Sequence, residues 1–143
     1  MPFRFLDDVA TADIAFQAWG QTLEEVFVAS ADAVMNVMIE NLDSIEPCED
    51  HEYSLQSEAL DMLLFDFLQE LIYLKDARRL LLRVHEVKTE ERSGQYFLKA
   101  KGRGERLDSE RHEQRVDVKA VTLHRFSLEK TDQGWSADVI LDI

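Results

Sequence analysis

The chain is 143 residues long and carries 29 acidic against 16 basic side chains, a formal net charge of -13. Such a surface repels a phosphate backbone, which disfavours tight direct nucleic-acid binding and favours basic partners and divalent cations. With 45% hydrophobic residues, it has the composition of an ordinary globular protein, large enough to need no disulfide or structural metal to fold. No apolar run approaches the roughly 18 residues that span a bilayer, and the start of the chain lacks the basic-then-apolar order of a signal peptide. One cytoplasmic domain over residues 1–143, not associated with a membrane, is the expectation.

Residues near 3–7 and 13–19 read as strands flanking a short turn. Thr22-Leu23-Glu24-Glu25 is a capping box, in which the threonine hydroxyl accepts from a first-turn amide while Glu25 reaches back. Leu23, Val26, Phe27, Ser30, Val34, Val37 and Met38 then fall on one face of a helix. The single cysteine, Cys48, lies in the polar stretch Glu46-Pro47-Cys48-Glu49-Asp50. It cannot form an internal bridge and suits a reducing compartment. A catalytic thiol there would need a base, for which His51 is close in sequence, but the usual fate of such a residue is an idle loop thiol. Ser57 is the expected N-cap of a second helix. Its stripe of Leu60, Leu63, Leu64, Phe67, Leu68, Leu71 and Ile72 reads as a core face.

Beyond it the pattern changes to period two. Leu80, Leu82 and Val84 precede a Ser93-Gly94 turn, and Tyr96, Leu98 and Ala100 follow. Lys99, Lys101 and Arg103 form a basic stripe on the other side of that strand, most simply a solvated sheet face. Val116, Val118, Ala120 and Thr122 alternate with Asp117, Lys119, Val121 and Leu123. Asp132-Gln133-Gly134 turns the chain into a final strand, with Trp135, Ala137, Val139 and Leu141 facing one way and Ser136, Asp138, Ile140 and Asp142 the other. Strand–helix units thus occur twice before a run of antiparallel strands. The fold class is α+β, with a largely antiparallel sheet packed on two amphipathic helices.

Three groups of residues carry chemical potential. The chain stops in strand register on Asp142-Ile143, which sets a side-chain carboxylate beside the α-carboxylate of Ile143. Terminal strands commonly pair in small α+β sheets, which would bring Asp13 to the same corner. Such oxygen donors suit Ca²⁺, Mg²⁺ or Mn²⁺; the plainer reading is a turn acid and a solvated strand acid. The loop Gly104-Glu105-Arg106-Leu107-Asp108-Ser109-Glu110-Arg111-His112 gathers Asp108 and His112, residue types that do acid–base work or simply solubilise a loop. Lys119 faces away from the apolar side of its strand. It would offset the charge of Asp142 if the two strands are neighbours; otherwise it is a surface lysine. A glycine-rich phosphate loop, a nucleophile elbow and a Cys-x-x-Cys pair are all absent from the sequence.

Taken in order, Thr11-Ala12-Asp13-Ile14, Gly20 with Thr22-Leu23-Glu24-Glu25, Phe67-Leu68-Gln69-Glu70-Leu71-Ile72-Tyr73, Gly104-Glu105 with Asp108 and His112, Val118-Lys119-Ala120-Val121-Thr122, and Val139-Ile140-Leu141-Asp142-Ile143 resemble the archease family over nearly the whole chain. The resemblance implies a doubled strand–helix–strand–strand fold. It implies a non-catalytic protein cofactor of the RtcB-type RNA ligase of tRNA splicing and RNA repair, one that promotes ligase guanylylation and multiple turnover and broadens nucleotide use. It places the family's divalent-metal site on Asp13, Asp142 and Ile143 and matches Lys119 to a lysine associated with ligase activation. Asp108 and His112 are expected to join that activation. In this chain Ala10 stands where the family usually has histidine, before Thr11-Ala12-Asp13. The competing readings are a chaperone-like assembly module and a small metal-dependent hydrolase centred on Asp108, His112 and Asp142.

Overall fold

The computed structural model describes residues 2–6 and 13–143. Seven strands and two α-helices follow one another along them: β1 (Phe3–Leu6), β2 (Asp13–Gly20), α1 (Leu23–Met38), β3 (Glu49–Ser57), α2 (Leu60–Arg78), β4 (Leu80–Arg92), β5 (Gln95–Arg106), β6 (Ala120–Thr131) and β7 (Gly134–Asp142). Ala10, with the rest of 7–12, lies outside the described residues.

Local chemistry sets the element boundaries. The Thr22 hydroxyl accepts from the Glu25 amide at 3.2 Å, and the Glu25 carboxylate reaches back to the Gln21 amide at 3.1 Å, one residue before the cap. Ser57 ends β3 instead of capping α2. The cap position falls on Ala59, whose amide donates to the Ser57 hydroxyl at 3.3 Å. Ser93 (φ 50°) and Gly94 (φ 78°) both take left-handed backbone, the geometry of a two-residue turn that matches strand twist.

The strands form two antiparallel sheets, ordered β1-β2-β7-β6 and β3-β5-β4. The order reveals a nested repeat. In β3-α2-β4-β5 the first strand pairs with the last and the last with the middle one. The same holds for β2-α1-β6-β7, with β1 added at its edge. The doubled arrangement is present, but one unit is inserted between the helix and the middle strand of the other. This insertion makes β2 and β7, distant in sequence, neighbours at the centre of one sheet.

One hydrophobic cluster joins both units. α1 packs on β2 and on β4, so burial extends around it to Ala29, Ala31 and Ala33 as well as the Val26, Phe27, Val34, Val37 and Met38 stripe. From Leu63 onward the α2 stripe is buried as its periodicity predicts, with Phe67 against Phe27 at 5.3 Å between ring centroids. Gly104 is required where β5 meets β4, because a Cβ there would lie 1.8 Å from the Leu81 carbonyl oxygen. Two of the three cations of the basic stripe on β5 are ion-paired across the sheet: Lys101 lies 3.7 Å from Glu52 and 3.6 Å from Glu86, and Arg103 lies 3.1 Å from Asp50.

The regular alternation expected over 116–122 does not hold. Residues 115–119 are irregular, β6 begins at Ala120, and the buried side chains are Val118 and Val121. After Thr122 the register with β7 jumps from Thr122–Ile140 to Ser127–Asp138, so β6 carries a bulge with Arg125 at φ 53°. The start of β6 lies at an edge of its sheet. Side chains of α2 take backbone groups that a neighbouring strand would otherwise take: the Gln69 carbonyl accepts from the Val121 amide at 2.7 Å, and Lys75 donates to the Val118 carbonyl at 3.2 Å.

Candidate functional site

The register of β2 on β7 sets Asp13 directly opposite Asp142, and the register of β6 on β7 sets Ala120 on the other side of Asp142. Residues directly opposite in an antiparallel pair share a face, so the two carboxylates project from the same side with a small side chain beside them. The inward positions flanking this row, Ile14 and Leu141, belong to the core. Asp13 and Asp142 are therefore on the face away from the helices, and both are half-buried. Like charges directly across a sheet destabilise it unless a cation answers them. Among the described residues no ion pair reaches either carboxylate. Ile143 follows in alternation, and its side chain packs against the core.

Lys119 meets this corner through its backbone. Its amide donates to the Asp142 carbonyl at 2.8 Å, while its side chain is exposed and makes no ion pair with Asp13, Asp142 or Ile143. The segment around it is fixed from α2. Lys75 is 8% exposed and sits 2.5 Å from the Asp117 carboxylate, with Asp76 also in contact. Burial works to lower the Lys75 pKa, but its hydrogen bonds and charge pairing with Asp117 and Asp76 outweigh it and raise the value. The apolar stripe of α2 contains neither Gln69 nor Lys75. Their partners are 52 and 43 residues away in sequence, a relation no local pattern encodes.

Asp108 and His112 form a separate cluster. The His112 ring is buried; its Nδ1 accepts from the Asp108 amide at 2.9 Å and its Nε2 lies 2.7 Å from Glu105 Oε1. The Asp108 carboxylate accepts from the Glu110 amide at 3.0 Å, closing the turn. Glu105 also accepts from the Glu46 amide at 2.9 Å and pairs with Arg111. The Arg111 guanidinium, helped by the Glu46 amide and His112 and opposed by burial, holds the Glu105 carboxyl at about 2. These contacts staple the loop to β5 and to the segment preceding β3. The hydrolase constellation of Asp108, His112 and Asp142 does not assemble. Among the described residues, the one set of three His, Cys, Asp or Glu ligand atoms within 4.8 Å is Glu46, Cys48 and Glu105.

That set already has occupants: Glu105 is committed to Arg111 and His112, and the Cys48 thiol points to Glu105 at 3.6 Å. Partial desolvation and the Glu105 carboxylate push the Cys48 thiol up, away from the thiolate a nucleophile needs. His51 instead lies 3.4 Å from Arg78 and beside the Tyr53 ring. No helix among the described residues is long and apolar enough to cross a membrane.

Known proteins share this fold. The chain matches the Archease protein family (MTH1598/TM1083) over residues 3–143. It is 42% identical over 134 residues to the protein archease of Pyrococcus abyssi, covering 93% of this chain and 94% of that one. It is 34% identical to the protein archease of Methanopyrus kandleri over the full length of both. The solution structure of Methanobacterium thermoautotrophicum protein 1598 superposes with a TM-score of 0.86 at 36% identity, covering 99% of each chain. The crystal structure of an archease from Thermotoga maritima, described as a possible chaperone, has the same fold, with a TM-score of 0.61 at 18% identity over 94% of this chain and 93% of that one. The shared fold and the family match along nearly its whole length agree: this chain belongs to the archease family.

Proposed function

We propose that this chain is a non-catalytic activator of an RtcB-type RNA ligase, acting in tRNA splicing and RNA repair by promoting ligase guanylylation and multiple turnover and by widening the nucleotides used. The observation that carries the reading is the cross-strand Asp13–Asp142 pair with the Lys119 amide bonded to the Asp142 carbonyl. Two adjacent carboxylates on one sheet face need a counter-charge, and an all-oxygen donor set fits Ca²⁺, Mg²⁺ or Mn²⁺ better than zinc or copper. Asp13, Asp142 and the α-carboxylate of Ile143 would hold that ion, whose chemistry is neutralisation of triphosphate charge during nucleotidyl transfer. Lys119, exposed beside them, would meet the ligase or its nucleotide as a further positive charge. Asp108 and His112 would contribute by shaping the loop between β5 and β6 against the partner.

A guanylylation assay with purified ligase, GTP and Mn²⁺ tests the proposal, run with and without this protein. Stimulation by the parent protein is expected, with loss of at least about tenfold on Asp142→Ala, the size of one missing charged ligand. One alanine appended after Ile143 is expected to do the same while circular dichroism stays unchanged. Normal stimulation by the extended protein would remove the terminal carboxylate from the ligand set. The description of the Thermotoga maritima relative as a possible chaperone favours a second reading. That reading requires suppression of aggregation that is indifferent to Asp13→Ala and Asp142→Ala.

A further inference from the structure

The largest register break in either sheet lies beside the aspartate pair. Between Thr122–Ile140 and Ser127–Asp138 the ladder takes β6 from residue 122 to 127 while β7 goes only from 140 to 138. Leu123, His124 and Arg125 stand out of it, all three exposed. Arg125 takes left-handed backbone at φ 53°, a conformation uncommon for any residue but glycine. Such strain persists only where the surroundings enforce it, and strained residues and bulges alike gather at functional sites. The excursion is clamped at both ends. Before it, the Gln69 side chain takes the Val121 amide at 2.7 Å and the Thr122 hydroxyl donates to the Ile140 carbonyl at 3.1 Å. After it, the Phe126 ring meets Phe65 of α2 edge-on, 5.6 Å between centroids, and the Ser127 hydroxyl donates to the Asp138 carboxylate at 3.3 Å.

What this finger presents does not serve the fold. Leu123, 60% exposed, is the most exposed large apolar side chain among the described residues. A lone exposed leucine is ordinary; one held out on a strained, clamped excursion is not. Among the described residues no ion pair reaches His124 or Arg125. The stretch 118–128, which also carries Lys119, contains no acidic residue in a chain of net charge -13. Position indicates what covers it. Ala120 lies opposite Asp142, and Leu123 is three residues further along, at most about 10 Å of extended chain. A specific protein interface covers about 800 Å² on each partner, a round patch of about 16 Å radius. A protein centred on Asp142 therefore covers Leu123 as well, whereas a small ligand held by the carboxylates does not.

We propose that residues 123–125 are a docking finger for the ligase, with Leu123 entering an apolar recess of its surface and Arg125 pairing with a carboxylate at the rim. A guanidinium desolvated in an interface needs such a planar anion, which it bonds in a fork. The inference rests on the activator reading and adds to it a contact that needs no metal. The clamped base keeps the ordering cost of docking small, because the finger is already held in place.

Calorimetric titration of purified ligase with the full chain tests this, alongside Mn²⁺ titration of the chain alone. Leu123→Ala is expected to weaken ligase binding about tenfold, the loss of one interface anchor, with Mn²⁺ affinity and circular dichroism unchanged. Arg125→Gly is expected to weaken it comparably while the thermal midpoint barely moves, since relief of the left-handed backbone offsets the extra freedom of glycine in the unfolded chain. Lys88→Ala, which removes a positive charge from the other sheet, should change binding less than about twofold. Full affinity in both Leu123→Ala and Arg125→Gly would overturn the finger and leave the activator reading standing. A parent protein that neither binds nor stimulates the ligase would overturn both. A dimer of the parent that Leu123→Ala abolishes would put a second copy of this chain on the finger and overturn the choice of the ligase.

Discussion

Glu105 illustrates how one side chain can serve packing more than chemistry. Its carboxylate collects Arg111, His112 and the Glu46 amide, and its pKa falls from an ordinary value of 4.5 to about 2. Because the folded value lies below the unfolded one, its stabilisation is complete above about pH 4.5 and is lost as pH falls toward 2. Glu105→Gln is expected to destabilise the protein by about 1–3 kcal/mol at pH 7, the scale of a disrupted charged hydrogen bond. The gap to the parent should narrow between pH 4.5 and 2, as measured by urea unfolding at several pH values. A gap that stays constant with pH would mean that the charge of Glu105 contributes nothing. Sequence marked Asp108 and His112 as chemically able, but the same hydrogen bonds that bury His112 commit both of its ring nitrogens.

At the scale of elements, α2 does more than bury its apolar stripe. Gln69 and Lys75 hold the Val121 amide and the Val118 carbonyl on either side of Lys119, where β6 has no second strand to pair with. An unpaired buried amide costs about 1–3 kcal/mol. Gln69→Ala is therefore expected to lower stability by that order and, more specifically, to speed amide exchange at Val121 while the amides of β3 are unaffected. Uniform acceleration throughout the chain would show that the change acts on global unfolding alone. The helices, the Ser93-Gly94 and Asp132–Gly134 turns and the faces of β7 were all legible from periodicity and turn chemistry. The α2 contacts that fix the start of β6 were not, because Gln69 lies 52 residues before its partner Val121 in the chain.

At the scale of the whole molecule, nesting has a thermodynamic consequence. α1 belongs to one repeat but packs against β4 of the other, and a single apolar cluster crosses between them. Neither sheet covers its inner face without the shared helices. Both tryptophans sit in the outer unit, on β2 and β7, whereas far-UV circular dichroism reports on both units. Chemical unfolding followed by the two signals is expected to give coincident midpoints, as one cooperative transition requires. Separate midpoints would mean that the inserted β3–β5 unit unfolds by itself.

The sequence by itself determined the α+β class, the two helices, the antiparallel strands and the residues that resemble a known family, because each of these is written in local spacing: period 3.6, period two and turn residues. The tertiary structure alone decided that one repeat lies inside the other, that Asp13 faces Asp142, and that α1 is enclosed on both sides through alanines a stripe analysis passes over. The reason is that strand pairing and helix docking depend on which distant faces are buried against each other, and that choice is settled by the free energy of the whole core, not by any window of neighbouring residues.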